Sequence, residues 1–173
     1  SGDVEDDDEN CPPIVKWKRS TQVIEDANYL ILPIPYVVIQ HTVTSECSDR
    51  AQCVAGVENI YSFHYSSFYS FNRFLIGGDG SVYEGCGWNR EGAHTYGYNK
   101  KSIGIAFIGN YQAKPARDKM LEAAHKLILC GKSQGILRGN VRVIGARQVG
   151  STASPGLRLY EQIQSWPEWV SSP

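Results

Sequence analysis

The stretch Tyr-Val-Val-Ile-Gln-His-Thr at residues 36–42 decides how this chain folds. Its first four residues are apolar, and three of them are β-branched. A short run of this kind predicts a strand buried on both faces, as in a parallel sheet covered by helices. Polar groups follow at once, which places His41 and Thr42 at the carboxyl end of the predicted strand. Because ligands bind where the strands of α/β proteins end, the sequence predicts a site there.

Apolar runs alternate with segments of helical spacing along the rest of the chain. Further strands are predicted at residues 74–76, 81–84, 103–108 and 141–144. The Asp79-Gly80 pair predicts a hairpin between the first two of them. Helices are predicted at residues 50–66, at 115–130 and after Pro155. This alternation predicts a single α/β domain, in which helices flank a central mixed β-sheet.

The composition of the 173 residues is ordinary for a globular protein, with 42% hydrophobic and 20% charged residues. No apolar run approaches the ~20 residues of a membrane span, so no membrane span is expected. No signal-peptide pattern opens the chain.

Charge is distributed unevenly along the chain. Residues 1–10 contain six acidic residues and no basic one, whereas residues 11–173 contain 12 acidic and 17 basic residues, which gives them about +5. Like charges repel, so residues 1–10 are predicted to be a disordered acidic tail. The charge of the body is too small to indicate a nucleic-acid partner.

The five cysteines indicate a secreted protein, although an odd count leaves at least one unpaired within the chain. Cys47 and Cys53 lie six residues apart in a polar stretch. This spacing could form a small disulfide loop or a metal pair. No histidine or second cysteine pair stands nearby at zinc-finger spacing, which favours the disulfide and an oxidising compartment.

The four histidines and one serine are the candidates for chemistry. His41 follows the buried strand, and His94 lies in a loop rich in glycine, tyrosine and hydroxyl groups, which suits a polar polymer such as a sugar. His64 and His125 stand on predicted helices and are typical of core or surface positions. Ser154 directly precedes the last helix and is typical of a helix cap. Too few well-placed ligands, and no HExxH motif, argue against a zinc hydrolase.

Seven short motifs nevertheless occur in a familiar order, at residues 37–42, 74–80, 82–88, 92–99, 104–110, 154–160 and 166–169. Together they resemble the peptidoglycan recognition proteins (PGRPs), which are relatives of phage-type zinc N-acetylmuramoyl-L-alanine amidases. The short insect members that act in Toll-type signalling are the most similar. The resemblance covers nearly the whole chain and implies a PGRP domain over residues 11–173, with a groove for the muramyl stem peptide.

The resemblance also implies where a zinc ion would be held in an amidase. Its ligands, two histidines and one cysteine, fall at His41, Ala146 and Ser154. The position of the catalytic tyrosine is occupied by Asn72. Alanine has no lone pair to offer and a neutral hydroxyl is a poor zinc ligand, so we expect no zinc cofactor and no amidase activity.

Residues of the groove can be carried over by resemblance. Histidine and threonine would hydrogen-bond amides and sugar hydroxyls, while tryptophan and tyrosine supply stacking area. The candidates are His41, Thr42, His64, Trp88, Asn89, Arg90, His94, Thr95, Tyr98, Lys100 and Ser154. Lys100 stands where readers of diaminopimelate carry an arginine, and lysine is a weaker partner for a carboxylate. Lys100 by itself leaves lysine-type and diaminopimelate-type peptidoglycan both open, and the resemblance to the short insect members favours the lysine type.

The cysteines can also be paired by resemblance. The family's short disulfide corresponds to Cys47–Cys53, and a second one corresponds to Cys11–Cys130. Cys86 replaces a usual arginine and is left over, so a free thiol is expected there.

These features predict a secreted, haemolymph-type immune protein that binds bacterial peptidoglycan without cleaving it and passes the signal to a downstream protein. An alternative is a weak metal-free L,D-carboxypeptidase with Ser154 as the nucleophile, supported by His41 and Thr152. A second alternative is a decoy or dimerising subunit. It is suggested by residues 65–73, a connection about three residues shorter than in the family, which would reshape the groove.

Overall fold

The computed structural model describes residues 3–5, 11–16, 32–66, 74–85, 87–88, 97–98 and 101–173, with the backbone alone at 3–5 and 63–66. Within these residues no helix has both the length and the apolar character that a membrane crossing needs.

Seven strands and three α-helices occur in the described part of the chain. The strands are β1 (Asp3–Glu5), β2 (Ile14–Lys16), β3 (Ile34–His41), β4 (Phe74–Ile76), β5 (Val82–Glu84), β6 (Ser102–Phe107) and β7 (Leu137–Gly145). The helices are α1 (Arg50–Ser66), α2 (Asp118–Ser133) and α3 (Leu157–Ile163), and a 3₁₀ turn covers Ala146–Gln148. The predicted α/β domain with a central mixed sheet flanked by helices is confirmed.

All seven strands belong to one sheet in the order β1-β2-β5-β4-β6-β3-β7. β3 pairs in parallel with β6 on one side and with β7 on the other, and β4 is parallel to β6. β5 returns antiparallel to β4, as the predicted hairpin requires. The carboxyl ends of β4, β6, β3 and β7 therefore meet at one edge of the sheet.

The apolar run of β3 contributes buried side chains to both faces of the sheet. Val37 and Ile39 belong to the main core, which α2 and α3 cover. Val38 points to the opposite face, where it packs with Ile144 and Ala146. Alternate residues of a strand point to opposite faces, so an unbroken apolar run requires cover on both.

Helix α1 covers only part of the second face. Its Val57 and Tyr61 pack on Leu75 of β4 and Ala106 of β6. The β3–β7 part of this face carries the small cluster around Val38 instead. The second face is thus divided between a helix-covered half and a half that lies beside the site described below.

The amino-terminal prediction is wrong for residues 3–5, which form β1 instead of a disordered tail. β1 pairs antiparallel with β2, and Asp3 stands opposite Lys16 in the register. Backbone hydrogen bonds to the outer edge of β2 offset the repulsion among the acidic residues.

Two helices begin later than predicted because side chains elsewhere hold their first residues. Helix α2 begins at Asp118, not Pro115, since the backbone of Ala116 exchanges two hydrogen bonds with the side-chain amide of Gln162 on α3, at 2.9 and 3.0 Å. Helix α3 begins at Leu157, two residues after Pro155, and the N–H of Leu157 donates to Gln112 Oε1 at 3.0 Å. Both constraints are long-range and leave no local trace in the sequence.

Two disulfides are present in the described residues, Cys11–Cys130 and Cys47–Cys53. Cys47–Cys53 joins α1 to the loop before it, which excludes the metal-pair alternative for these cysteines. Cys11–Cys130 ties the amino-terminal segment to α2, as the resemblance implied. The fifth cysteine, Cys86, lies outside the described residues, so its free thiol stays a prediction.

Unfolding the chain without reductant should therefore expose one thiol per molecule. Reaction with Ellman's reagent in guanidinium chloride measures it, and a Cys86→Ser variant should give none. A wild-type count of zero, with a disulfide-linked dimer on a non-reducing gel, would show that Cys86 pairs between chains.

Candidate functional site

Three loops meet beyond the carboxyl ends of β6, β3 and β7. They comprise residues 41–44, 108–112 and 146–157, and we call them together the carboxyl-edge site. Their neighbouring strands are parallel and in register, which brings segments far apart in sequence within hydrogen-bond distance. This is the edge at which the sequence predicts a site, and His41, Thr42, Thr152 and Ser154 all lie in it.

His41 connects the other two loops. Its Nδ1 accepts a hydrogen bond from the backbone N–H of Tyr111 at 3.1 Å, and its own backbone N–H donates to Ser154 Oγ at 3.1 Å. An Nδ1 that accepts carries no proton, so the neutral ring has its proton on Nε2. Burial lowers the pKa of His41 below its ordinary value. At neutral pH the imidazole is therefore an uncharged donor through Nε2.

Thr42 and Val43 continue the β3 loop against the β6 loop. The backbone N–H of Thr42 donates to the Phe107 carbonyl at 3.1 Å, and that of Val43 donates to the Gly109 carbonyl at 2.8 Å. In return, the N–H of Gly109 donates to Thr42 Oγ1 at 3.0 Å. Thr42 Oγ1 also shares a hydrogen bond of 2.7 Å with Thr44 Oγ1. The two loops are thus joined by backbone and hydroxyl groups in both directions.

Ser154 fixes the β7 loop. Its Oγ accepts from His41, its N–H donates to Thr152 Oγ1 at 3.1 Å, and its carbonyl accepts from the N–H of Arg147 at 2.7 Å. The interpretation of Ser154 as a helix cap is wrong, because Gly156 occupies the N-cap position of α3. The hydroxyl is used instead to hold the end of β3.

The three residues of the carboxypeptidase alternative are brought together, but not as a nucleophile and its base. Such a pair needs a ring nitrogen that accepts the proton of the serine hydroxyl. Here Nδ1 of His41 accepts from Tyr111, and Ser154 Oγ meets the backbone of His41. These contacts favour a positioning role for Ser154 and Thr152.

The three positions that the resemblance assigns to zinc do not fit the ion. Ala146 has a methyl group and is 2% exposed, packed among Val38 and Ile144. Ser154 offers a hydroxyl and His41 offers one imidazole, whose Nδ1 is already occupied. Catalytic zinc needs three protein donors, preferably nitrogen or thiolate. Among the described residues there is no cluster of three His, Cys, Asp or Glu side chains that could replace them.

Tyr98 lies with the residues of the second sheet face. Its ring makes an edge-to-face contact with Tyr36 at 5.3 Å between centroids, and both rings join the cluster around Val38. Lys101 Nζ stands 4.3 Å from the centre of the Tyr98 ring, and Ser102 Oγ donates to the Tyr98 carbonyl at 2.5 Å. Tyr98, a predicted groove residue, and Ala146, at a zinc position implied by the resemblance, therefore lie on the same face of the sheet.

Trp88 is placed on the other face, which contradicts its prediction as a groove residue. Its ring packs on Phe74 at 4.6 Å between centroids and lies beside Gly131 of α2. It belongs to the periphery of the main core. A large aromatic side chain that follows a strand can pack on either face of the sheet, and the local sequence does not show which face it takes.

The other groove candidates lie outside the described residues. They are Asn89, Arg90, His94, Thr95 and Lys100, together with the side chain of His64. Their roles stay predictions.

Tyr111 and Gly156 are positions of the carboxyl-edge site that the sequence analysis missed. Tyr111 is buried, its hydroxyl donates to the Ile108 carbonyl at 2.7 Å, and its backbone orients His41. Gly156 has φ 92°, and a Cβ there would lie 2.5 Å from the carbonyl carbon of Tyr111. A glycine directly before a helix was the available signal for Gly156. A backbone donor such as that of Tyr111 leaves no signal in residue type.

Comparison with known proteins finds matches that extend over most of the chain. Residues 31–157, well over half of the chain, match the Amidase_2 family, described as N-acetylmuramoyl-L-alanine amidase. The peptidoglycan-recognition protein SA of Drosophila melanogaster is 47% identical over 169 residues, which are 95% of this chain and 83% of that protein.

Two solved structures are similar throughout the fold. The X-ray structure of Apis mellifera PGRP-SA is 62% identical, with a TM-score of 0.88 over 92% of this chain and 99% of that one. The structure of peptidoglycan recognition protein LE in complex with tracheal cytotoxin, a monomeric diaminopimelic acid-type peptidoglycan, is 37% identical. Its TM-score is 0.87 over 91% of this chain and 96% of that one.

The lowered pKa of His41 makes its contribution to stability depend on pH. Below the ordinary value of 6.5, an unfolded His41 binds a proton that the folded ring does not. Its contribution to the free energy of unfolding is therefore present above that pH and falls as the pH decreases toward the folded pKa. A His41→Asn variant keeps an acceptor for Tyr111 without this titration. Urea unfolding at pH 7.5 and 5.5 should show the wild-type advantage shrinking at the lower pH; a constant difference would contradict the assignment.

Replacing Gly156 by alanine should disrupt the junction of the β6 and β7 loops. Its backbone conformation, φ 92° and ψ 146°, is open almost only to glycine and costs other residues about 1–3 kcal/mol. The clash with the Tyr111 backbone adds a similar amount. Thermal unfolding measures the loss. Gly150→Ala is the matched control, because its Cβ would meet only the Ala146 carbonyl oxygen at 3.6 Å; equal effects of the two changes would refute the junction.

Proposed function

Because this chain belongs to the peptidoglycan recognition protein family, we propose that it binds bacterial peptidoglycan through the muramyl stem peptide at the carboxyl-edge site without cleaving it. The family includes a member solved with a peptidoglycan fragment bound. The proposal of binding rests on the family, and the proposal that the protein does not cleave the polymer rests on this chain's own residues.

The donor set at the three zinc positions is the observation that carries the proposal. Of His41, Ala146 and Ser154, only the histidine is a good zinc ligand. Two of the potential donor atoms also accept hydrogen bonds within the protein: the histidine Nδ1 accepts the N–H of Tyr111, and the serine hydroxyl accepts the N–H of His41. We therefore propose that the protein uses no zinc cofactor.

The site offers neutral hydrogen-bonding groups, which suit the amides and hydroxyls of a muropeptide. His41 presents an Nε2–H, while Thr44 and Thr152 contribute hydroxyls at exposed positions. Tyr98 on the adjoining face adds an aromatic surface for stacking. A preference for lysine-type peptidoglycan, taken from the resemblance to the short insect members, is part of the proposal.

Secretion and signalling complete the proposed role. Two disulfides tie distant and local segments, as is typical of proteins that fold in an oxidising compartment. Relatives named peptidoglycan recognition protein occur across insects. The protein would act in the haemolymph and pass the signal to a downstream immune protein of a Toll-type cascade.

Sedimentation with insoluble peptidoglycan tests the binding. The wild-type chain should sediment with lysine-type peptidoglycan more than with the diaminopimelate type. His41→Ala should weaken this about tenfold, because it removes a hydrogen bond made inside a partly desolvated site. Lys126→Ala is the control, since that side chain is exposed on α2 and lies outside the carboxyl-edge site. A chain that sediments with neither polymer would support the decoy alternative and refute the proposal.

The same mixtures test the absence of catalysis. With added zinc, no stem peptide should appear in the supernatant, and without metal no terminal D-alanine should appear. Mass spectrometry of the supernatant detects both products. Released stem peptide would show an amidase, and released D-alanine that disappears in Ser154→Ala would show the carboxypeptidase.

A further inference from the structure

Val43 combines two properties that are rarely found together. Its side chain is 61% exposed, and its backbone has φ 56°, in the left-handed region. Among the described residues other than glycine, it alone has a positive φ. It lies in the carboxyl-edge site, two residues after His41.

The left-handed region is unfavourable for valine in particular. The branched Cβ comes too close to the following carbonyl, and only glycine, with asparagine and aspartate to a smaller extent, adopts this conformation routinely. The conformation is imposed by its neighbours. The N–H of Val43 is bonded to the Gly109 carbonyl at 2.8 Å, and Thr42 is held to the same glycine at 3.0 Å.

The folded chain gains little in return for this strain. An isopropyl group that stays mostly in water contributes little hydrophobic stabilisation, so glycine or asparagine would fit the position better. Strained residues of this kind cluster at ligand sites, where the surrounding structure over-determines them. The side chains next to Val43 carry hydroxyls, on Thr42 and Thr44, which makes its isopropyl group a local apolar contact within a polar rim.

We propose that Val43 is a specificity-determining contact residue of the carboxyl-edge site, whose isopropyl group packs against a methyl group of the bound muropeptide. This rests on the proposed function. The hydroxyls and His41 would satisfy the polar atoms of the ligand, while Val43 would select for the small alkyl substituents that a muramyl peptide carries on its acyl and alanine groups.

The test separates backbone strain from ligand contact. Removing the strain should raise stability, whereas removing the contact should weaken binding. Val43→Gly and Val43→Asn should raise the melting temperature by a few °C, since they relieve the strain. Both should weaken binding of a soluble lysine-type muramyl tripeptide, measured by calorimetry, about five- to tenfold. Val43→Thr keeps the branched shape and the strain but replaces a methyl by a hydroxyl; it should weaken binding without raising the melting temperature.

Leu129→Asn is the control, because Leu129 is a similarly exposed apolar residue, at 43%, on α2; it should leave binding unchanged. More stable Val43 variants that bind as tightly as the wild type would overturn the contact. Variants that bind weakly and are also less stable would make Val43 a structural residue, which overturns the proposal too. A wild-type chain that binds neither the tripeptide nor insoluble peptidoglycan would overturn the proposed function, and this proposal with it.

Discussion

The parallel pairing of β3 with β6 on one side and β7 on the other is the constraint on which the rest of the structure depends. An inner strand must satisfy its backbone groups on both edges and its apolar side chains on both faces. β6 and β7 run parallel on either side of β3, so a tight turn cannot join them and they require a crossover, which α2 supplies. The same helix covers the face that carries Val37 and Ile39. One register thus fixes the core, the crossover and the edge at which the strands end together.

The chemistry of that edge follows from how its loops are tied together. In a metal site, the imidazole and the third ligand would direct their lone pairs at the ion. Here the lone pair of His41 Nδ1 receives the N–H of Tyr111, and the hydroxyl of Ser154 receives the N–H of His41. Each contact satisfies a backbone donor of the junction, and each withdraws a potential metal donor. Since Ala146 offers a methyl group packed against Val38, the three positions act together as support for the loops.

Local features of the sequence were sufficient to predict most elements and part of the site. The apolar run of β3 placed His41 correctly, and the Cys47–Cys53 spacing predicted a disulfide that is present. The failures share one physical cause, which is that the deciding contact comes from a distant segment. Gln162 delays the start of α2. Trp88 packs on α2 instead of the site face, because Phe74 and Gly131 leave room for it there.

Backbone groups were the hardest part of the site to predict, because they leave no trace in residue type. The N–H of Tyr111 determines which nitrogen of His41 carries the proton. Any residue except proline could supply that donor, so only the fold identifies it.

Protection of the outer sheet edge and support of the site depend on the same carboxyl-terminal residues. β7 is an edge strand, and an exposed edge invites pairing with other chains. Val143 donates its N–H to Glu168 and accepts that of Val170, so residues 168–170 cover this part of the edge. Within the same segment, Trp169 Nε1 donates to Gln148 Oε1 at 3.1 Å.

Gln148 links the terminal segment to the carboxyl-edge site. Its Oε1 also accepts the N–H of Gly145 at 2.8 Å, and its Nε2 donates to the Val170 carbonyl at 2.8 Å. The 3₁₀ turn that leads from β7 toward Ser154 is therefore fastened to the terminal segment. Glu168 in turn is held by Lys132 and His125 of α2, at 3.1 Å each. Burial alone would raise the pKa of Glu168, but these partners and a backbone hydrogen bond lower it. The carboxylate is therefore charged at neutral pH, and its contacts with Lys132 and His125 are kept there.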